Sequence, residues 1–405
     1  MFYRPYIDGT VKTLISDGAV NTMLVPNDVR IRKSTTTYST KEGTNMAKIN
    51  LSQLNDVLEK QIGTVFHVGI DVHKNSYHVA FLGDIGNSST FVCSAAPEEV
   101  IKHFNRFDGK IAQVVYECGP TGFELARVLK EAGYNVLVVA PSRVPRPVTT
   151  GAKTDRLDCM RLAQYSAHGM LKSVAIPSRD QEAQRSLIRR RHDLVDSIRT
   201  VKQRIRSHLL YLSVKEPPGL DHWGDKSVKS LLKLPMLAGA RDTLKSLVRE
   251  LTFLKSERQR IEKQIRCVCS QARHGKIFEC LQTTPGVGPI TAATFQLEVF
   301  DPGRFKTGDQ VASYLGLAPM VRQSGESKGR SRLRPVGQKR LRSLLVEAAW
   351  CLCRKDEQAM AKYRRLVSKT NVAQKAIVAV ARDLAVILWR LSLEQRAYEL
   401  RPVTA

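Results

Sequence analysis

Four acidic residues stand at positions where their side chains could hold a divalent metal. Asp71 and Glu117 each end an apolar run rich in β-branched residues, which predicts a buried strand. Asp155 and Asp158 are three positions apart and would share one face of a helix. Carboxylates at two strand ends and on one helix can converge at one edge of a sheet, and such oxygen ligands suit Mg²⁺ or Mn²⁺. The pattern predicts one metal site.

Each of these acids also has an ordinary interpretation. Asp71 and Glu117 could be turn residues at strand ends, and Asp155 and Asp158 could lie on a solvated helix face. A lone carboxylate at the tip of a buried strand is costly, however, unless a positive charge lies beside it. The four acids in this order favour the metal site.

The second set of candidate residues is basic. Among 405 residues, Lys and Arg number 64 and Asp and Glu 38, which gives a net charge of +26 and favours a polyanionic partner such as nucleic acid. Basic residues outnumber acidic ones 21 to 10 between 181 and 275, and 8 to 1 between 321 and 345. The side chains expected at phosphates are Arg189, Arg190, Arg191, Arg322, Lys328, Arg330, Arg332 and Arg334.

Two glycines are expected to contact the same partner at residues 284–291, which match a helix-hairpin-helix turn. There, Gly286 and Gly288 would let backbone amides approach a phosphate without a side chain in the way. A plain turn between two helices is the alternative.

The elements that would position the acids are predicted over residues 64–178. The predicted order is strand 65–71, strand 77–82, strand 89–93, helix 97–107, a strand ending at Glu117, helix 123–132, strand 135–140 and a helix running to about 168. A meander of three strands followed by helix, strand, helix, strand and helix is typical of the ribonuclease-H-like α/β fold. In that fold, carboxylates on the first and fourth strands and the last helix meet.

Residues 179–275 show helical periodicity with many basic residues outside the apolar stripes. The stripes, spaced by three, four and seven residues, indicate paired helices or a coiled coil. An insertion over 214–240, which contains Pro217–Gly219, is left unassigned. The helices could pair within the chain or between subunits. The second arrangement would make the protein oligomeric.

The remaining segments are a predicted poorly ordered extension over 1–63, a mainly helical domain over 276–395 and a tail over 396–405. Lys41–Gly43 can be encoded by a ribosome-binding sequence, so we expect translation to begin at Met46.

The sequence has no apolar run of about 18 residues, which argues against a membrane partner. None of its eight cysteines forms a CxxC pair, which makes zinc improbable and favours a reducing cytoplasm.

These features together resemble the insertion sequence 110 transposases, also described as bridge-RNA-guided recombinases. The resemblance runs from about Phe66 to Trp389. It rests on Gly69–Asp71, Glu117 with Gly119 and Thr121, Lys153–Asp158 with Ala163, Pro285–Gly288, and the stretch from Gly316–Pro319 to Ser324–Gly325. The first 45 residues and the lengthened segment Lys215–Ala240 depart from the family pattern.

The resemblance implies that Asp71, Glu117, Asp155 and Asp158 hold Mg²⁺ in a RuvC-like domain, and that Ser324 attacks the DNA backbone. It also implies a structured non-coding RNA partner, element and target DNA, a homo-oligomer from dimer to tetramer, and a bacterial, nucleoid-associated location. Two other functions stay open. One is a Holliday-junction-type nuclease in which the acids direct a metal-bound water, and the other is a non-catalytic RNA-binding protein, against which the four intact acids argue.

Overall fold

The computed structural model describes residues 65–84, 86–107, 109–145, 155–271, 274–320, 323–324, 327–328, 332–333 and 337–400. The predicted extension over 1–63 and the proposed start at Met46 lie outside these residues. So do the predicted phosphate contacts Arg322, Arg330 and Arg334.

A five-stranded mixed sheet in the order β3-β2-β1-β4-β5 forms the first part of the described chain. Strands β1 (Phe66–Val72), β2 (Ser76–Gly83) and β3 (Ser88–Ser94) form an antiparallel meander, and β4 (Ile111–Glu117) and β5 (Val136–Val139) continue the sheet parallel to β1. The strands predicted from the sequence are confirmed to within one residue at each end. The mixed α/β class of this part is therefore confirmed.

Helices cover both faces of the sheet, which is why β1 is buried on either side. On one face, Phe66 and Phe81 form an aromatic cluster with Phe104 at the end of α1 (Pro97–Phe104) and with Phe107 in the 3-10 turn that follows. Helix α2 (Glu124–Glu131) contacts α1 and β5. The other face carries α3 (Asp155–Ala167), whose Leu162 packs on Val115 and Val139.

Two long helices, α4 (Arg179–Tyr211) and α6 (Ala238–Cys269), pair within the chain as an antiparallel hairpin. The end of α4 packs against the start of α6 through Ile205 and Leu209 with Leu244 and Val248. A capping box between Ser178 and Gln181 fixes the start of α4. Of the two pairings left open by the sequence, the intrachain one is present.

The unassigned insertion closes the far end of this hairpin. It contains the 3-10 turn Leu220–His222 and helix α5 (Asp225–Leu231), whose apolar side chains are buried against α4 and α6. Trp223 lies between them, with Lys202 Nζ 5.2 Å from its ring centre and Lys255 Nζ donating to its carbonyl oxygen at 2.7 Å. The insertion therefore shields apolar residues that the hairpin alone would expose.

The C-terminal part is mainly helical. Its elements are α7 (Gly275–Gln282), α8 (Pro289–Val299), α9 (Gly308–Tyr314), the short strands β6 (Pro319–Met320), β7 (Gln323–Ser324), β8 (Ser327–Lys328) and β9 (Arg332–Leu333), and helices α10 (Lys339–Cys353), α11 (Glu357–Thr370) and α12 (Ala373–Glu394). The base of the hairpin, including Ile188 and Ile265, shares one core with these helices. One hydrophobic core thus extends across residue 275.

In the predicted tail, Tyr398 packs against that C-terminal core and its backbone amide donates to Thr283 Oγ1 at 2.7 Å. Throughout the part of the chain that the structure describes, no helix is both long and apolar enough to span a bilayer.

Candidate active site at one end of the sheet

Asp71 and Glu117 lie at the same edge of the sheet, at the ends of neighbouring strands. β1 and β4 run parallel, and Ile70 is paired with Tyr116, so the next residues along the two strands are Asp71 and Glu117. Parallel strands lie about 4.8 Å apart. Both acids point to the face that α3 covers, because side chains alternate along a strand and Gly69, two residues before Asp71, contacts α3.

Gly69 is what allows α3 to approach so closely. A β-carbon at this position would lie 2.0 Å from the carbonyl oxygen of Cys159 and 2.7 Å from the amide nitrogen of Ala163. Any other residue would therefore push the helix away from β1. The contact places the first turn of α3, with Asp155 and Asp158, beside the end of β1.

The opposite end of α3 is fixed by a polar bridge. The Ser166 hydroxyl donates to Gln113 Oε1 at 2.7 Å and lies 3.1 Å from His67 Nδ1, so the imidazole N–H donates to the serine oxygen. Burial lowers the pKa of His67, which favours its neutral form. The helix is thus held to both β1 and β4.

Two histidines that the sequence analysis did not single out lie among the acids. His73, in the β1–β2 turn, places Nε2 3.3 Å from Asp71 Oδ2 and 3.4 Å from Asp155 Oδ2. His78 Nε2 is 3.7 Å from the same Asp155 oxygen. The signal that could have revealed His78 is the tight hairpin, since it pairs Asp71 with His78 across β1 and β2.

The electrostatics at this edge disfavour several bare carboxylates. Burial raises the pKa of Asp71, and the charges of Asp155 and Asp158 raise it further, while His73 and His78 oppose this shift. Asp158 also accepts a hydrogen bond from Arg161 Nη1 at 3.3 Å. Such a group of oxygen ligands is suited to a divalent cation, which would offset their mutual repulsion.

A thiol also lies close to the acids. Burial, followed by the charge of Asp71, raises the pKa of Cys159 to about 12. The thiol therefore stays protonated at neutral pH and is a poor nucleophile. The carboxylates and imidazoles at this edge are therefore the groups that could bind a metal ion or transfer a proton.

Comparison with known proteins identifies the chain. A family model described as "Transposase IS116/IS110/IS902 family" matches residues 278–364, and a transposase model named for IS110 and a DEDD set of acids matches residues 68–213. The sequence is 30% identical to the putative transposase y4qE of Sinorhizobium fredii over 359 residues, covering 81% of this chain and 89% of that protein. The chain belongs to the IS116/IS110/IS902 transposase family.

Other members of the family align over most of their length. Identity is 26% with the probable family 20 transposase of Pseudomonas aeruginosa, over 69% of this chain and 83% of that protein. Identity is also 26% with the transposase for insertion sequence element IS1533 of Leptospira borgpetersenii, over 70% of this chain and 84% of that protein. The protein is thus an insertion-sequence transposase, an enzyme that acts on DNA, and its DEDD domain indicates dependence on a divalent metal.

Ser324 lies in a small hairpin of the transposase. Strands β7 and β8 pair antiparallel, with Ser324 directly opposite Ser327 and Gln323 opposite Lys328. Arg332 pairs with Met320 between β9 and β6. The roles of Ser324, Lys328 and Arg332 at DNA stay predictions.

The two glycines of the predicted phosphate-binding turn have different surroundings in this transposase. Gly286, with φ of +86°, faces α10, where a β-carbon would lie 2.4 Å from the carbonyl oxygen of Ala348. Gly288 precedes α8, and a β-carbon there would meet no atom within 4 Å. Gly286 therefore has a packing role, and Gly288 is the more open position for a phosphate.

The arginine run on α4 is also divided. Arg189 and Arg190 are exposed, whereas Arg191 Nε donates to Glu262 Oε1 on α6 at 2.9 Å and is largely buried. Since Arg191 already has a partner in the hairpin, Arg189 and Arg190 are the better placed of the three to contact a phosphate.

Proposed function

We propose that this transposase is an RNA-guided recombinase that exchanges DNA strands through metal-dependent cleavage, with Ser324 as the nucleophile. The observation that carries the proposal is the meeting of Asp71, Glu117 and the first turn of α3 at one sheet edge. The strand order β3-β2-β1-β4-β5 supports a ribonuclease-H-like, RuvC-like domain. Carboxylates on the first strand, the fourth strand and the last helix of that fold are expected to act together.

Asp71, Glu117, Asp155 and Asp158 would hold Mg²⁺ or Mn²⁺. The fit rests on their oxygen ligands and on the raised pKa of Asp71, which burial raises first and the charges of Asp155 and Asp158 raise further. When bound, the metal polarises the scissile phosphate and stabilises the charge that develops on it. The role of the protein is to keep the acids at the sheet edge, through Gly69 and the bridge at Ser166.

Ser324 would form a covalent link to DNA. Its Oγ loses a proton and bonds to phosphorus, while the bond from phosphorus to one deoxyribose oxygen breaks and that oxygen gains a proton. Attack by a hydroxyl group of another strand reverses the exchange and frees the serine. The phosphoserine link conserves the phosphodiester bond energy, which permits rejoining without a further energy source.

The proposed partners are DNA and a structured non-coding RNA. Exposed cations on the hairpin, including Arg189 and Arg190, support phosphate binding. The proposed homo-oligomer is supported by Leu210, Tyr211 and Leu237, large apolar side chains exposed at one end of the hairpin.

The decisive experiment is to trap the reaction under denaturing conditions with an end-labelled DNA strand. Wild type and Ser327→Ala should yield protein attached to the label, and Ser324→Ala should yield none while still folding and binding DNA. Ser327 is the matched control because it lies opposite Ser324 in the same hairpin. An adduct from Ser324→Ala would overturn the serine mechanism.

A nuclease that uses water is the second candidate, because all four acids lie in the α/β part of the chain and need no serine to bind a metal. It predicts that wild-type protein makes only free cleaved ends.

The RNA partner is tested separately by expressing the gene with its flanking DNA and sequencing the RNA that copurifies. Recovery of random cellular RNA alone would contradict the guided mechanism.

A further inference from the structure

Two imidazoles and one carboxylate at the sheet edge have the spacing of ligands around one transition-metal ion. Nε2 of His73 is 3.4 Å and Nε2 of His78 is 3.7 Å from Asp155 Oδ2. The ligand atoms of the three residues all lie within 4.8 Å of one another. Around tetrahedral Zn²⁺, with bonds of about 2.0–2.1 Å, ligand atoms lie roughly 3.3–3.4 Å apart.

These distances are longer than good hydrogen bonds from imidazole to carboxylate, which are about 2.7–2.9 Å for charged pairs. The three groups therefore converge on a common point more than they bond to one another. The two rings lie edge to face with centroids 5.5 Å apart, so neither blocks the other. A single ion can reach both nitrogens with small side-chain adjustments.

We propose that His73, His78 and Asp155 bind a late first-row divalent metal such as Zn²⁺, at a site that shares Asp155 with the acid cluster. Imidazole nitrogen suits Zn²⁺, whereas Mg²⁺ prefers carboxylate oxygen and water. None of the three ligands is a cysteine, so the lack of a CxxC pair does not exclude Zn²⁺ at this site. Three protein ligands leave a fourth position for solvent.

The site is both held in place and accessible. His78 sits in β2, where backbone pairing with β1 fixes it opposite Asp71. His73 lies in the turn, and its side chain is 45% exposed compared with 23% for His78. An ion from solvent can therefore enter past His73 and be held by the more rigid His78.

Binding of Zn²⁺ would regulate the transposase. The Asp155 oxygen that binds Zn²⁺ is no longer free for Mg²⁺, and His73 is drawn from its contact with Asp71. Zn²⁺ therefore inhibits Mg²⁺-dependent cleavage at concentrations far below that of Mg²⁺, because imidazole ligands favour Zn²⁺ strongly. The inhibition rests on the proposed function, whereas the binding site itself does not.

The test uses the full-length, metal-free protein with Zn²⁺ in competition with a chromogenic chelator, and Co²⁺ as a spectroscopic substitute. Wild type should bind one Zn²⁺ and give the intense visible bands of tetrahedral Co²⁺. His78→Gln and His73→Gln should each weaken Zn²⁺ binding by more than the roughly 10–100-fold that loss of a group supporting a ligand costs. His168→Gln, at the exposed far end of the same α/β part, is the matched control and should bind as wild type does.

Thermal unfolding of each variant shows that it is folded, and the exposed turn residue His73 provides a second variant if His78→Gln unfolds. Equal Zn²⁺ affinity in wild type and in both histidine variants would overturn the site, as would a weak, octahedral Co²⁺ spectrum. Cleavage with Mg²⁺ but no histidine-dependent Zn²⁺ binding defeats this inference alone. Histidine-dependent Zn²⁺ binding without any Mg²⁺-dependent cleavage defeats the proposed function and leaves the site standing.

Discussion

Gly69 and Cys159 bring β1 and α3 together so closely that a β-carbon at residue 69 would lie 2.0 Å from the Cys159 carbonyl oxygen. Cys159 is one turn along α3 from Asp155, and Gly69 is two residues before Asp71. The contact therefore sets how far the acids of the helix lie from the acid of the strand. The packing of Gly69 against α3 therefore also determines the geometry of the acids at the edge of the sheet.

Gly69→Ala should damage both stability and cleavage. The added methyl group must displace helix backbone, and overpacking of this kind costs about 1–3 kcal/mol of unfolding free energy. Thermal unfolding and DNA cleavage measure the two effects. Gly239→Ala is the control, because a β-carbon there meets nothing within 4 Å, and it should keep wild-type stability and cleavage. A fully active Gly69→Ala protein would show that α3 is not fixed by this contact.

If the proposed function holds, Asp71→Asn should abolish strand cleavage and leave RNA binding nearly intact, because it removes a proposed metal ligand and no phosphate contact. Burial and the neighbouring acids raise the pKa of Asp71, so its charge is unfavourable in the metal-free fold. The variant should therefore unfold at a temperature no lower than wild type when metal is absent. Asp84→Asn, in an exposed turn, should change neither property. Wild-type recombination rates in excess chelator would rule out the metal site.

Salt dependence should separate the arginines of α4. Arg189→Ala and Arg190→Ala should each reduce the slope of log affinity against log salt concentration by about one unit, since each exposed cation neutralises one phosphate. Arg191→Ala should leave the slope unchanged and lower the urea midpoint, because Glu262 loses its 2.9 Å ion pair and keeps the longer contact to Arg258 Nε at 3.7 Å. Binding that does not depend on salt would contradict the phosphate role of the hairpin.

A buried ion pair joins the hairpin to the C-terminal helices. Arg185 donates to Glu298 Oε2 from Nη2 at 2.7 Å and from Nε at 3.0 Å, and their side chains are only 9% and 6% exposed. Glu298→Gln should cost about 3–5 kcal/mol, because it leaves a buried guanidinium without its counter-charge. Urea unfolding measures the loss. Glu131→Gln, which removes a surface partner of Arg179, should have no measurable effect, and equal midpoints for the two variants would refute the prediction.

The strands and long helices were predictable because their apolar residues recur with the periods that burial demands. The stripe from Leu194 to Leu209 is buried along α4, as its spacing predicts. Asp71 lies at the end of β1, one residue before its last residue, Val72. Periodicity is a local signal, so it defines an element together with the face that the element buries.

Features that depend on tertiary contact were not predictable in this way. His73 and His78 have no metal-ligand spacing of their own and meet Asp155 only after β1, β2 and α3 have packed. Gly286 matches a phosphate-binding turn in sequence, yet its surroundings are set by α10, far along the chain. The insertion over 214–240 lacks periodicity because its order comes from the apolar hairpin end that it covers.

The position of α3 has a consequence for biosynthesis. A ribosome releases β1 to β5 first, with Asp71 and Glu117, and only afterwards the helix that carries Asp155 and Asp158. A nascent chain that stops before α3 can thus contain the whole sheet and still lack half of the acid cluster. We expect such truncated products to be unable to cut DNA, so that a prematurely terminated message yields no protein with cleavage activity.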